Sequence, residues 1–155
     1  MRRNDKEIKD PALIEQILST SEVCRIGLLD GDRPYIVPMN YGYRNGFIYF
    51  HSAPAGKKIE LIKANCRVCF EIEHHYSVVK GEVACDWTSR FRSLMGTGTI
   101  EILTGNDDKK EALDIIMHQH GRSEPNNYKE QLLGRMVVLR LKIEEISGKE
   151  SGYKN

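Results

Sequence analysis

The sequence predicts an α+β fold built around an antiparallel barrel, and three observations predict it. Short runs of strand-favouring residues are punctuated by Asp30-Gly31 and Asn45-Gly46, dipeptides that favour tight hairpin turns. Three separate stretches, near residues 11–19, 56–65 and 107–120, carry apolar residues at helical spacing. No strand–helix–strand alternation runs along the chain, which argues against a doubly wound parallel sheet. The 155 residues suffice for one real core, and neither repeat nor linker divides them, so residues 1–155 are read as one domain.

Asp10-Pro11 reads as an N-cap followed by proline at the first helical position. Leu13, Ile14, Ile17 and Leu18 then recur at helical spacing through "ALIEQILST". "VCRIGLL" (23–29) predicts a strand, "DGDR" a turn and "PYIVPMNYGY" (34–43) a second strand. "FIYFH" (47–51) returns after Asn45-Gly46 as a third. Two hairpins in succession predict an antiparallel meander.

"GKKIELIKAN" predicts the second helix, with Asn65 as its stop. "CRVCFEIE" (66–73) alternates, with Cys66, Val68, Phe70 and Ile72 on one face. "SLMGTGTIEIL" (93–103) has strand character, and its two glycines mark bends or bulges. "DDKKEALDIIMHQH" (107–120) is helical, with acids in its first turn, histidines in its last and Gly121 to end it. "MVVLRLKIEEI" (136–146) alternates as the last strand, and "GKESGYKN" reads as a polar tail. The total is about six or seven strands and three helices.

Composition narrows the function. The net charge of +1 gives no basic excess to drive nucleic-acid binding, where phosphate neutralisation supplies most of the affinity. No apolar run approaches a membrane span. "MRRNDKEIKDP" is not followed by an apolar signal region, so a cytoplasmic protein is expected, with its four cysteines reduced.

Cys66 and Cys69 have CxxC spacing, with His74-His75 close behind, which raises zinc or dithiol chemistry. On a strand, however, residues three apart face opposite ways. The cysteines are therefore read as buried reduced thiols and no metal site is assigned. His74, His75, His118 and His120 are read as surface residues.

One point resists a bland reading. Gly56-Lys57-Lys58 opens a helix, where the dipole disfavours cations. The stretch is not a Walker loop, because Ser52 replaces the first glycine and Lys58 the Ser/Thr. It is either a solvated lysine pair or an anion site, in which backbone N–H groups, the Ser52 hydroxyl and two ammonium groups converge on a phosphate. Arg90, Arg92 and Ser93, in "SRFRSLMGTG", offer a second arm for such a clamp.

These segments together resemble a known family. "MRRNDKEI", "PYIVPMNYGY", "FIYFHSAPAGKK", "CFEIE", "RFRSLMGTGTIE" and "IEEISGK", in this order from Met1 to about Lys149, are similar to nitroimidazole-resistance-type flavoproteins of the pyridoxamine-phosphate-oxidase-like superfamily. The resemblance implies an antiparallel split β-barrel with about three flanking helices. It implies a homodimer with FMN at the subunit interface; relatives carry haem or a deazaflavin instead. Val37, Pro38, Met39 and Asn40 would run past the ring system, with His51 and Ser52 at the end of the next strand. Lys57 and Lys58 would hold the phosphate, and Arg92 and Ser93 would complete the site. His51 is the candidate catalytic residue, donating a hydrogen bond to the flavin or to a ligand above it; in a haem protein it would be an axial ligand.

The implied function is an FMN-dependent reductase that takes electrons from a nicotinamide nucleotide and acts on nitroimidazole-like compounds. The alternative is a non-catalytic flavin or haem carrier. Pyridoxamine phosphate oxidation is not carried over, because its substrate-phosphate residues have no counterpart that can be placed.

Overall fold

The computed structural model describes residues 4–122 and 125–153. In chain order the elements are β1 (Glu7–Ile8), α1 (Pro11–Thr20), β2 (Val23–Asp30), β3 (Arg33–Asn40), β4 (Gly42–Arg44), β5 (Phe47–Ser52) and α2 (Lys57–Ala64). They continue with β6 (Arg67–Val79), β7 (Thr88–Leu103), α3 (Asn106–Gln119), a short α4 (Glu130–Leu133) and β8 (Val137–Ser151). The strands form one antiparallel sheet in the order β3-β2-β6-β7-β8-β5-β4, with β1 added on β8.

Local signals act as their chemistry dictates. The Asp10 carboxylate accepts the Ala12 N–H at 2.9 Å and Pro11 opens α1. Asn45 and Gly46 have φ of 51° and 81°, the two positive values that a type I′ hairpin turn requires. Gly31, at φ 63°, turns β2 into β3 through a two-residue loop.

The expected meander is not what forms. The hairpins β2–β3 and β4–β5 lie at opposite ends of the sheet order, although the single residue Tyr41 joins them. The sheet therefore curls until its two edge strands meet at Tyr41. That side chain is fully buried, and its hydroxyl donates to the Leu18 carbonyl at 2.8 Å. At the other end of β3 the seam is bridged by the start of α2, where Lys57 reaches Asp30 and Tyr35 on the β2–β3 hairpin. This is a split β-barrel, pinned at both ends of its seam.

The interior holds Ile26, Ile48, Phe50, Phe70, Ile72, Leu94 and Leu141, and α2 contributes Ile59 and Ile62. Burying each such side chain contributes about 1.5–3 kcal/mol. Outside the barrel, α3 packs Leu113 and Ile116 with Val138 and Leu103. Gly42 makes that possible: a Cβ there would sit 2.6 Å from the Ile116 backbone.

Three expectations are corrected. The described residues form eight strands rather than six or seven, and the three expected helices are joined by the four-residue α4. The tail from Gly148 to Ser151 is strand, paired to β7 and β1, while Lys154 and Asn155 lie outside the described residues. Of the cysteines only Cys24 is buried; Cys66, Cys69 and Cys85 are exposed. Cys69 faces outward, as an odd position of β6 must when Phe70 and Ile72 face the core.

Candidate functional site

The site begins at the end of β5. Residues 48, 50 and 52 point into the barrel, and Ser52 pairs with Val137 of β8. Ser52 is only 7% exposed, and its hydroxyl oxygen has no hydrogen-bond partner among the described residues. A buried hydroxyl without a partner costs about 1–3 kcal/mol, so a missing partner is indicated.

Four residues on, Gly56 adopts φ 118°, a conformation that glycine alone takes without strain, and opens α2 with no side-chain cap. Ile59 and Glu60 both donate to the Gly56 carbonyl, which leaves the first N–H groups of the helix facing outward from its positive end. An orphaned hydroxyl, an uncapped helix start and two lysines thus occur within seven residues.

The two lysines differ. Lys57 is half-exposed, bonds the Asp30 carboxylate and lies 5.1 Å from the centre of the Tyr35 ring. That bond raises the Lys57 pKa. Lys58 is half-buried and has no ion-pair partner among the described residues. Asp30 and Tyr35 were not anticipated from sequence. Asp30 signalled only a turn, and nothing local says that the turn meets a helix 27 residues later.

From this corner β3 runs away along the seam. It pairs only with β2, so its other edge carries unpaired backbone groups, and Ile36 on it is 66% exposed. Val37 and Asn40 lie roughly 7 and 17 Å from Tyr35 along the strand, at about 3.4 Å per residue. The Met39 side chain is buried in the core, so only its backbone is offered at the edge, while Pro38 and Asn40 are exposed. The Asn40 amide donates to the Glu22 carbonyl at 3.3 Å.

Other expected site residues lie apart. His51 is exposed and pairs with Val138 on the face that α3 covers, opposite to Ser52. Arg92 and Ser93 are neighbours inside continuous strand β7, so their side chains leave opposite faces. The Arg92 guanidinium is engaged: it donates to Glu150 at 2.9 Å and stacks 3.9 Å from the Tyr153 ring centre. Arg90 donates to the Gly152 carbonyl. Ser93 pairs with Lys149 of β8 and Ser52 with Val137, which puts roughly 40 Å of strand between them at about 3.3 Å per residue. No hydrogen bond or ion pair among the described residues joins Arg92 or Ser93 to Ser52, Lys57 or Lys58.

The outer face of the sheet carries a cavity of about 580 Å³ lined by Gly27, Ile36, Cys69, Met95 and Ile146 with Arg25 and Glu71 at its polar side. Arg25 and Glu71 form an ion pair at 2.9 Å. Ile36 and Met95 expose 66% and 62% of their surface there. Among the described residues no cluster of His, Cys, Asp and Glu is arranged to hold a metal ion, and no helix is long and apolar enough to cross a membrane.

A split barrel with an open seam and a basic corner at its end defines a recognisable class. A family model described as pyridoxamine 5′-phosphate oxidase matches residues 10–150, and the chain belongs to that family. Among solved structures, the chain is similar to a candidate 5-nitroimidazole antibiotic resistance protein from Bacteroides thetaiotaomicron, with 32% identity over 93% of this chain and 86% of that one, at a TM-score of 0.83. An FAD-binding protein from Mesorhizobium loti shares 26% identity over 92% and 96% of the two chains, at a TM-score of 0.68. A flavocytochrome from Azotobacter vinelandii shares the fold at a TM-score of 0.85, with 19% identity over 99% and 72%. No curated protein matches the chain by sequence.

Proposed function

We propose that this protein is a flavin-dependent oxidoreductase that binds FMN along the barrel seam, with the phosphate at the α2 corner and the ring system beside Val37, Pro38, Met39 and Asn40. The observation that carries the reading is the Ser52 hydroxyl, buried without a partner just before an uncapped helix start that bears Lys57 and Lys58. A phosphate group supplies what that corner lacks: an acceptor for the hydroxyl and the free N–H groups, and a counter-charge for Lys58. The spacing along β3 suits a ligand with a phosphate at one end and a ring at the other. When bound, the flavin supplies the hydride and electron chemistry. The chain's own part is to hold the phosphate, to offer the edge of β3 to the ring's polar rim and to keep water from it.

The same reading makes the protein a homodimer. The unpaired edge of β3 and the apolar outer cavity are surfaces that a second copy covers, and that copy brings Arg92 or Ser93 toward a site they do not reach within one chain. The electron donor is a nicotinamide nucleotide, and nitroimidazole-like compounds are acceptors. The choice of acceptor rests on the similarity to the Bacteroides protein, whose own description is resistance to that drug class, and the donor is the common hydride source of flavin chemistry. Anaerobic oxidation of NADH or NADPH by FMN-loaded protein, with and without a 5-nitroimidazole, tests it. Acceptor-dependent oxidation is expected; no oxidation of either nucleotide with any acceptor would reduce the protein to a flavin carrier. Sedimentation should give a dimer, and a stable monomer that still holds FMN would contradict the shared site.

A further inference from the structure

The ion pair at the seam concerns a residue that this reading leaves unused. Asp30 is the last residue of β2, and its carboxylate meets the Lys57 ammonium across the barrel seam. Lys57 also lies over the Tyr35 ring, so the half-exposed lysine is held against two residues of the β2–β3 hairpin. Lys58, next in the chain, has no such partner among the described residues. The corner therefore contains two ammonium groups and one carboxylate, and the carboxylate has neutralised one ammonium before any ligand arrives.

We propose that Asp30 is an internal counter-ion that sets the strength and charge selectivity of phosphate binding at the α2 corner. The inference rests on the reading of that corner as a phosphate site. An ammonium has three donors, so Lys57 can keep its bond to Asp30 and donate to a phosphate oxygen as well. The carboxylate and the phosphate then share one ammonium, with their bonded oxygens roughly 4.6 Å apart if each bond is about 2.8 Å and the ammonium is tetrahedral. Two like charges at that separation repel even in a water-like medium. Asp30 thus pins the seam when the corner is empty of ligand and weakens the hold on a dianionic phosphomonoester more than on a monoanionic phosphodiester. A group of FMN type pays that repulsion in full, one of FAD type about half of it per phosphate, and riboflavin none.

The test is a fluorescence titration of flavin-free protein with FMN, FAD and riboflavin, for the parent and for Asp30→Asn and Asp30→Glu. Asp30→Asn is expected to tighten FMN by roughly three- to tenfold, the range a unit charge beside a dianion gives at this separation with ordinary salt screening. FAD should tighten less and riboflavin not at all. The FMN gain should shrink as salt is raised. Asp30→Glu keeps the charge and should keep the parental order of affinities. If Asp30→Asn does not fold, Asp30→Ser removes the same charge and is read in the same way.

Unchanged or weakened FMN binding in the charge-removing variants, in protein that folds normally, overturns the counter-ion role. A parent that binds FMN no better than riboflavin is a different failure. It removes the phosphate site itself, and it is read from the parent alone before any variant is compared.

Discussion

Replacing the lysines one at a time probes the corner directly, and the structure makes the two unequal. Lys58 is half-buried and has no ion-pair partner among the described residues, so a phosphate contact there is a charge-assisted bond with little competition. Such a bond is worth about 1.5–3 kcal/mol, or roughly ten- to hundredfold in affinity. Lys57 is 51% exposed at its side chain and already bonded to Asp30. Solvent screening and the competing carboxylate leave its hold on a phosphate much weaker. Lys58→Ala should therefore weaken FMN far more than Lys57→Ala, and the double variant more than either single one if the terms add. The assay is the dissociation constant for FMN, with riboflavin as the control that lacks phosphate and should be bound alike by all variants. Equal losses for FMN and riboflavin would refute a phosphate role, and a larger loss at Lys57 than at Lys58 would refute the ranking.

Further outcomes follow from the same geometry. Ser52→Ala removes the orphaned hydroxyl: the flavin-free protein should gain stability, by about 1–3 kcal/mol in chemical denaturation, and FMN should bind more weakly. Gly98→Ala should destabilise by about 1–3 kcal/mol in the same assay, because the new Cβ would sit 2.1 Å from the Lys142 carbonyl beside the β-bulge at Thr97/Gly98. Burial, then the Arg92 and His75 charges, lowers the His74 pKa below its ordinary 6.5. The folded state then binds fewer protons than the unfolded one, so this contribution is intact above about pH 6.5 and is lost as pH falls through the folded value. Thermal unfolding should show the decline below pH 6.5, and His74→Gln, which keeps a hydrogen-bonding group for Ser21 near the position where Nδ1 lies 3.0 Å away, should flatten it. His51 lies on the face opposite Ser52, so a role for it requires the second copy: His51→Ala should leave the fold intact and lower turnover of the dimer, with His51→Gln losing less, and parental turnover in both variants would strike His51 from the site.

Much of the fold was legible because its signals are local. Asp10-Pro11, Asn45-Gly46 and the alternation of Val68, Phe70 and Ile72 each act within a few residues. The strand order was not legible, since nothing near Tyr41 says that β3 and β4 belong to opposite edges of one sheet. The extension of β6 was hidden by the register shift between Glu73 and His75, which reverses the alternation just where the strand continues to Val79. At the candidate site, the misplaced lysines were visible from helix electrostatics alone. Their inequality was not, because Asp30 becomes a partner only when the barrel seam closes. Arg92 looked available in sequence, but Glu150 and Tyr153 hold it from the far end of the chain.

The central claim is that the seam holds a flavin by its phosphate, and the absorption spectrum of the purified protein after loading with FMN, and separately with haem, tests it most directly. Two broad flavin bands are expected, in the near-ultraviolet and the blue, that stay with the protein through gel filtration and are lost in the Lys57→Ala, Lys58→Ala double variant. A protein that retains no flavin, or that shows a sharp Soret band in preference to flavin, would contradict it.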